Sequence, residues 1–382
     1  MKRLLIFSPF YPPHLGGLES YVSELSEELV QRKYKVTIFT SNVAPNIPHS
    51  VSSSPNLTII RFPAIELVTN YPLPRLWTVS FWRMLKQALQ PRPDFILSNT
   101  RFFSTSVLAM IVAQYFSIPW IHIEHGSWFV TVTSSVTTKL ARWYDLTFGR
   151  LIFRSATATI AISKAVQRFV QRFDTRPTVL MYRGLDTVLI DKITPQRPVN
   201  ISNDAFLILS VGRLFKWKGF EYSIKAINSL PDDIRQKVVL VIAGDGEDRK
   251  HLEKYASPHI IFLGRVSYDK TIALMKAADI YIHSSLQGGG LSTALLETLY
   301  CGCPIIATPH EGADEVVTDE ENGLIIPEAD ISALQTALMN LIKNPDLRKK
   351  LGQAGLQYIK PLVSWQNSLD ILADLFKKLA RP

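Results

Sequence analysis

The sequence predicts an α/β protein of two domains, and three observations carry that prediction. Short apolar strands alternate with amphipathic helical patterns along nearly the whole chain, which argues for parallel sheets covered on both faces by helices. The alternation comes in two series separated by a stretch rich in Pro, Asn and Thr, about Asp191–Asp204, read as the interdomain linker. A length of 382 residues exceeds one ordinary core and suits two of similar size, expected over 1–190 and 200–362.

The first series opens with MKRLLIFSPFYPP, whose basic pair imitates a secretory leader. Its apolar run stops after four residues at Ser8-Pro9, so the first strand is expected at Leu4–Ser8. A Pro- and Gly-rich loop through Gly16-Gly17 leads to a helix near Leu18. Leu18, Tyr21, Val22, Leu25 and Leu29 form its buried stripe, and Glu19, Glu24, Glu27 and Glu28 face outward. The loop lacks the G-x-G-x-x-G spacing, and no acidic residue ends the second strand, Val36–Thr40, so dinucleotide binding is disfavoured. Gly16-Gly17 fits close backbone approach to a ligand, and equally a loop that needs positive φ. Further strands are expected at Leu57–Arg61, Asp94–Ser98, Trp120–Glu124, Thr157–Ile162 and Thr178–Tyr182. His125 follows the third of these at the carboxyl edge, where open α/β sheets bind ligands. There it is a hydrogen-bond partner for a ligand oxygen, or a structural donor.

Charge is lopsided. The net value is +9, and through Arg197 there are 22 Lys and Arg against 11 Asp and Glu, while the remainder has 20 against 22. An acidic partner for the first half follows, either an anionic membrane face or an acidic ligand, or else an ordinary basic surface. No motif supports nucleic acid. Two segments, Pro72–Leu89 with Trp77, Phe81, Trp82, Arg83 and Lys86, and Thr137–Arg154 with Arg142, Trp143, Tyr144, Phe148, Arg150 and Arg154, are basic, aromatic and amphipathic. Helices lying on a membrane and core helices at a domain edge both have that pattern. The longest apolar passage, Val107–Ile123, is broken by Gln114, Ser117 and Pro119, so no membrane span is expected. Cys301 and Cys303 are too close for an unstrained bridge and lack partners for zinc, which points to structural thiols in a reducing compartment, the cytoplasm.

The second series has strands at Phe206–Val211, Val238–Ala243, Ile260–Leu263, Asp279–His283 and Pro304–Thr308. Its first strand runs into Gly212-Arg213, with Lys216 and Lys218-Gly219 before the next helix. Arg offers a fixed fork and Lys a compact charge, a pair suited to a diphosphate. Gly244-Asp245-Gly246 and Gly264-Arg265 close two neighbouring strands at the same edge. The stretch HSSLQGGGLSTALLETLYCGCPIIAT, from His283, is a strand end, a bare glycine loop and a helix beginning at Ser292 or Thr293. Backbone amides and the helix dipole there favour an anion. Thr293 and Glu297 share a helix face, so a carboxylate one turn in can accept two hydrogen bonds from a sugar diol. A tight turn with a solvated Glu gives the same letters. The final helix, Ser364–Leu379, needs another surface for its apolar stripe.

Taken together, YPPHLGGLESYVSELSEELVQRKYKVTIFTS, HGS at His125, AISK, GLD at Gly184, GRLFKWKGF at Gly212, AGDGED, FLG and the stretch from His283 resemble the family 4 glycosyltransferases of the GT-B fold. The resemblance covers nearly the whole chain in the right order. It implies two Rossmann-like domains facing across a cleft, with the last helix, 363–382, crossing back to the first. It also implies retaining transfer of a sugar from a nucleotide-sugar donor, UDP- or GDP-linked, without metal or other cofactor; the basic, aromatic first half adds the expectation of a lipid-linked or glycan acceptor at the inner face of a membrane. By position, Arg213 and Lys218 would hold the diphosphate and His125 would bond near the transferred sugar. Gly16 and Gly17 would approach donor and acceptor. Gly212, Gly244, Arg265, Gln287, Gly289, Gly290, Leu291, Ser292 and Thr293 would line the donor pocket, and Glu297 would bind the ribose.

One departure bears on activity. The family carries a first Glu eight positions ahead of the second, and counting back from Glu297 reaches Gly289. Alignment from Ser284 instead puts Gln287 there. Gln still bonds sugar hydroxyls, but without charge, and one lost charged contact costs roughly 1.5–3 kcal/mol. Arg183 also replaces an Asn ahead of Gly184. The competing expectation is a degenerate transferase that keeps the nucleotide-sugar pocket as a regulatory or scaffold module.

Overall fold

The computed structural model describes residues 1–14, 16–43, 50–68, 71–129, 135–199, 201–202, 204–287 and 290–380. It divides into two compact units, Met1–Arg183 with Trp365–Pro382, and Gly184–Ser364.

Strands of the first unit are β1 (Arg3–Ser8), β2 (Lys35–Asn42), β3 (Ser50–Ser54), β4 (Leu57–Val68), β5 (Tyr71–Pro74), β6 (Phe95–Asn99), β7 (Trp120–Glu124), β8 (Ala158–Ala161) and β9 (Val179–Leu180). They lie in the order β3-β4-β2-β1-β6-β7-β8-β9, with β5 on β4, and only β3 and β5 run antiparallel. The chain winds away from β1 one way to β2 and the other way through β6, so strand order switches between them. Ligand sites of open α/β sheets form at such a switch. β6 and β7 are buried at every position, so the polar residues they carry, Ser98, Asn99, His122 and Glu124, are buried with the apolar ones. β3 and β5 were not expected, because SVSSS and YPLP carry loop residues; both sit where edge pairing tolerates them. The segment Pro72–Leu89 therefore splits into β5 and a helix, Val79–Ala88, capped by Thr78.

The second unit has β10 (Phe206–Val211), β11 (Val238–Ala243), β12 (Ile260–Gly264), β13 (Ile280–His283), β14 (Ile305–Ala307) and β15 (Leu324–Ile325), in the all-parallel order β12-β11-β10-β13-β14-β15. Its switch falls between β10 and β13.

The expected linker is displaced. Residues 184–196 belong to the second unit because their backbone is tied there: Leu185 N donates to Val363 O (2.8 Å), Lys276 Nζ to the carbonyls of Ile190 (2.6 Å) and Ile193 (2.8 Å), and Gln196 N to Ala273 O (3.1 Å). Proline-rich composition reads as flexible, yet an unpaired carbonyl is an acceptor that a lysine can hold.

The helix Trp365–Leu379 returns to the first unit and buries Trp365, Leu369, Leu372, Leu375 and Phe376. The Phe376 ring lies tilted against that of Phe95 (centroids 4.5 Å apart), and Arg32 pairs with Asp370 (2.6 Å). Leu372 is fully buried in this seam. Leu372→Ala is expected to cost about 2–5 kcal/mol, read from the urea midpoint of the first unit; an unchanged midpoint would contradict the packing. Among the described residues no helix is long and apolar enough to cross a membrane.

Candidate active site

In the second unit, β10 ends in Gly212-Arg213, a short 3₁₀ turn over Lys216–Lys218, and Gly219. Gly219 has φ +67°, and a Cβ on it would lie 2.0 Å from the carbonyl oxygen of Ser284. Only glycine lets this loop lie against the end of β13, and the contact carries Lys218 to the switch point. There its Nζ donates to both oxygens of Glu311 (2.7 and 2.8 Å) and lies 4.9 Å from the Trp217 ring. Glu311 also accepts from Ser285 Oγ and faces His283 Nε2 at 3.4 Å. Burial alone would raise this carboxyl; Lys218 and His283 outweigh it and hold it below the usual range. His283 is pushed down to about 4 by burial, so it is neutral at pH 7.

Arg213 is exposed, with its guanidinium 4.8 Å from the Phe215 ring centroid, and no carboxylate pairs with it among the described residues. After β13, Gln287 is exposed, Gly289 lies outside the described residues, and Gly290 and Leu291 lead to Ser292 at the cap of the helix Thr293–Tyr300. Ser292 offers that helix no side-chain cap, and its own amide donates to Glu311 O (3.0 Å). Glu297 is buried one turn in. Two expected members fit less well. A Cβ on Gly244 would sit 1.9 Å from Gly212 O, so packing of the two loops explains that glycine without a ligand. Arg265 is exposed after β12, two strands out from β10, or roughly 10 Å by strand spacing.

In the first unit the loop after β1 meets β6. Gly16 has φ 177°, extended backbone open to any residue, which removes the positive-φ reading. A Cβ at Gly16 would collide with Glu19 Oε2 at 2.3 Å, whereas Gly17 faces open space. Glu19 was expected outward; it is buried, 2.5 Å from Nδ1 of His14, which stacks on Phe10. A carboxylate thus already faces this helix start, and the edge suits hydroxyls better than phosphate. His125 sets its ring edge against Tyr21 (4.7 Å), with Nε2 3.2 Å from Asn99 Oδ1. Asn99 Nδ2 donates to Phe7 O, which fixes the amide, so Nε2–H of His125 is the donor and Nδ1 an acceptor. Burial drives His125 down to about 3. The neutral Nδ1 here accepts a hydrogen bond from a hydroxyl and has no proton to offer a phosphate. Arg183 donates to Glu24 (2.7 Å) and to Gly17 O (3.0 Å), fastening the loop–helix junction.

Beneath His125 lies a polar network that sequence reading missed, because its members span Ser98 to Asp145 and form no motif. Trp120 Nε1 donates to Ser98 Oγ (2.8 Å), Ser98 pairs with His122 Nδ1 (2.9 Å), and His122 Nε2 lies 3.2 Å from Glu124. Glu124 also accepts from Arg101 Nη1 (3.0 Å) and from the amides of His125 (3.0 Å) and Gly126 (2.7 Å). Burial would raise its carboxyl, but Arg101, His122 and the Gly126 amide hold it at about 2.

These shifts set the acid response. His125 and His283 are held below their free value near 6.5, so between that pH and about 4 the unfolded chain binds more protons and stability falls as pH falls. Glu124 adds a loss below its free value of 4.5. Urea midpoints should drop from pH 7 to 4.5, and by less in His283→Gln than in wild type; equal drops would contradict the assignment.

Residues 15–189 match Glycosyltransferase Family 4, and 191–358 match Glycosyl transferases group 1. An uncharacterized glycosyltransferase of Methanocaldococcus jannaschii is 38% identical over 99% of this chain and 98% of its own length. The GDP-mannose-dependent monoacylated alpha-(1-6)-phosphatidylinositol monomannoside mannosyltransferase of Corynebacterium glutamicum is 24% identical, over 100% and 99%. Sucrose-phosphate synthase from Thermosynechococcus elongatus superposes with TM-score 0.82 at 21% identity over 99% of both chains, and Anabaena HepE in complex with UDP-glucose with 0.72 at 19% over 100% of both. Fold and family matches together define a GT-B glycosyltransferase, dependent on a nucleotide sugar. Within that class the chain belongs to glycosyltransferase family 4.

Proposed function

We propose that the protein transfers a hexose, with retention of configuration, from a UDP- or GDP-linked donor to a lipid-linked or glycan acceptor in cell-surface polysaccharide or glycolipid synthesis. The observation that carries this reading is the convergence of Arg213, Lys218 and the Gly290–Thr293 helix start on the β10–β13 switch point. Arg213, Lys218 and the Gly290–Leu291 amides neutralise the leaving diphosphate, and Glu297 accepts from the ribose diol. Gly17 and the neutral His125 meet hydroxyls. Catalysis on this reading comes from orientation and charge placement, with no strong base required. The GDP-mannose and UDP-glucose named for two similar proteins support the donor class, and the phosphatidylinositol mannoside named for one supports a lipid-linked acceptor. A screen of the purified chain against UDP-, GDP- and ADP-sugars tests it. Thermal stabilisation by one donor with slow release of nucleotide is expected; stabilisation without release, even with acceptors present, would favour the degenerate binding module.

The acceptor's place at a membrane surface rests on exposed side chains of the first unit. Trp77 (71%) and Trp82 lie near Arg83 and Lys86, Trp143 and Leu151 near Arg142 and Arg150, and Tyr115 is 80% exposed. Aromatics beside cations suit an anionic headgroup layer on the inner face of a membrane. Flotation with vesicles should require anionic lipid; equal flotation without it would remove the membrane from this reading.

A further inference from the structure

Glu311 occupies an unfavourable place. Its φ is +52°, a conformation that residues with a Cβ rarely adopt, and its carboxylate is buried. Gly312 follows at φ +75°, where a Cβ would come within 2.6 Å of Leu291 Cδ1, so the turn is pressed against Leu291. Backbone strain of this kind persists only where surrounding structure enforces it, and it gathers at ligand sites. What enforces it here is the donor site: Lys218 and Ser285 donate to the carboxylate, His283 faces it, and Ser292 donates to its carbonyl. No acidic residue occurs between His283 and Leu296, so the fold brings this carboxylate to the loop from another strand end.

An ammonium has three N–H donors, and Glu311 takes two of those on Lys218. A diphosphate drawn to Lys218 therefore arrives beside a second anion. Repulsion between the two is relieved when the ligand carries hydroxyls beyond its diphosphate, because a carboxylate accepts strong hydrogen bonds from them. A nucleotide sugar brings such hydroxyls on the far side of its diphosphate; a nucleoside diphosphate has only those of its ribose, which Glu297 takes. We infer that Glu311 reads the transferred sugar, accepting from its hydroxyls and disfavouring the nucleotide that has lost it. The donor is thereby preferred over the spent product at one site. This rests on Lys218 being a diphosphate ligand.

Calorimetric titration of the full chain tests it with two matched pairs, UDP-glucose and UDP, and GDP-mannose and GDP. Glu311→Gly suits a φ of +52°, so it removes the carboxylate without backbone cost, and Glu311→Gln keeps the shape while removing the charge. In both variants the preference for the sugar nucleotide over its diphosphate should fall at least about tenfold, the lower end for a charged hydrogen bond, with the diphosphate binding unchanged or tighter. Parallel change of both members of a pair would overturn the assignment and leave the donor site standing. Failure of the wild type to bind any of the four would overturn the donor site itself.

Discussion

Arg213→Ala lowers kcat/KM at least tenfold with no measurable loss of stability, the result expected if its guanidinium serves the departing diphosphate. The side chain is exposed, with its guanidinium over the Phe215 ring, so the fold does not need it. A cation aimed at a leaving anion acts mainly in the transition state, and removing one such donor typically costs a factor of ten or more. Lys218→Ala should lose as much activity, but it also strands the buried Glu311 carboxylate, at about 1–3 kcal/mol. The double variant Lys218→Ala/Glu311→Gly separates the two effects: stability returns and activity does not. Wild-type rates from Arg213→Ala and Lys218→Ala would remove both residues from the donor site.

That separation shows where the sequence was legible. Arg213 and Lys218 stand beside a glycine turn at a strand end, a pattern that periodicity and composition expose. Glu311 has partners at Lys218, His283 and Ser285, distant in sequence, and HEGAD reads as a polar turn. Glu19 illustrates a different failure. Helical periodicity places its Cα toward solvent, but a local bond to His14 draws the carboxylate under Gly16. The apolar parallel strands were readable because burial on both faces favours apolar residues, while β3 and β5 carry loop-type residues in antiparallel pairing with β4 and β15 has only two residues. Linker composition misled because it reports local stiffness and says nothing of Lys276, whose ammonium ties 190 and 193 to the second unit.

The buried network below His125 gives the largest stability effect. Arg101 is 1% exposed, donates to Glu124 (3.0 Å), Asp145 (3.1 Å) and Trp128 O (2.8 Å), and lies over the Phe169 ring (4.3 Å). Arg101→Met keeps much of the volume and removes the charge, leaving two buried carboxylates without their cation. Breaking a buried pair in this way costs about 3–5 kcal/mol. For a unit of this size that is a fall in Tm of about 10 °C. Part of the loss comes from Glu124 itself: with Arg101 gone, burial is no longer outweighed and its carboxyl rises, so Arg101→Met/Glu124→Gln should be more stable than Arg101→Met alone. Activity follows a different order. Glu124 Oε1 accepts from the amides of both His125 and Gly126, and a Gln oxygen there holds them less strongly than a carboxylate. The double variant should therefore regain stability while kcat stays low, because His125 loses the anchor that aims its Nδ1. Recovery of both together would make the network a purely structural one.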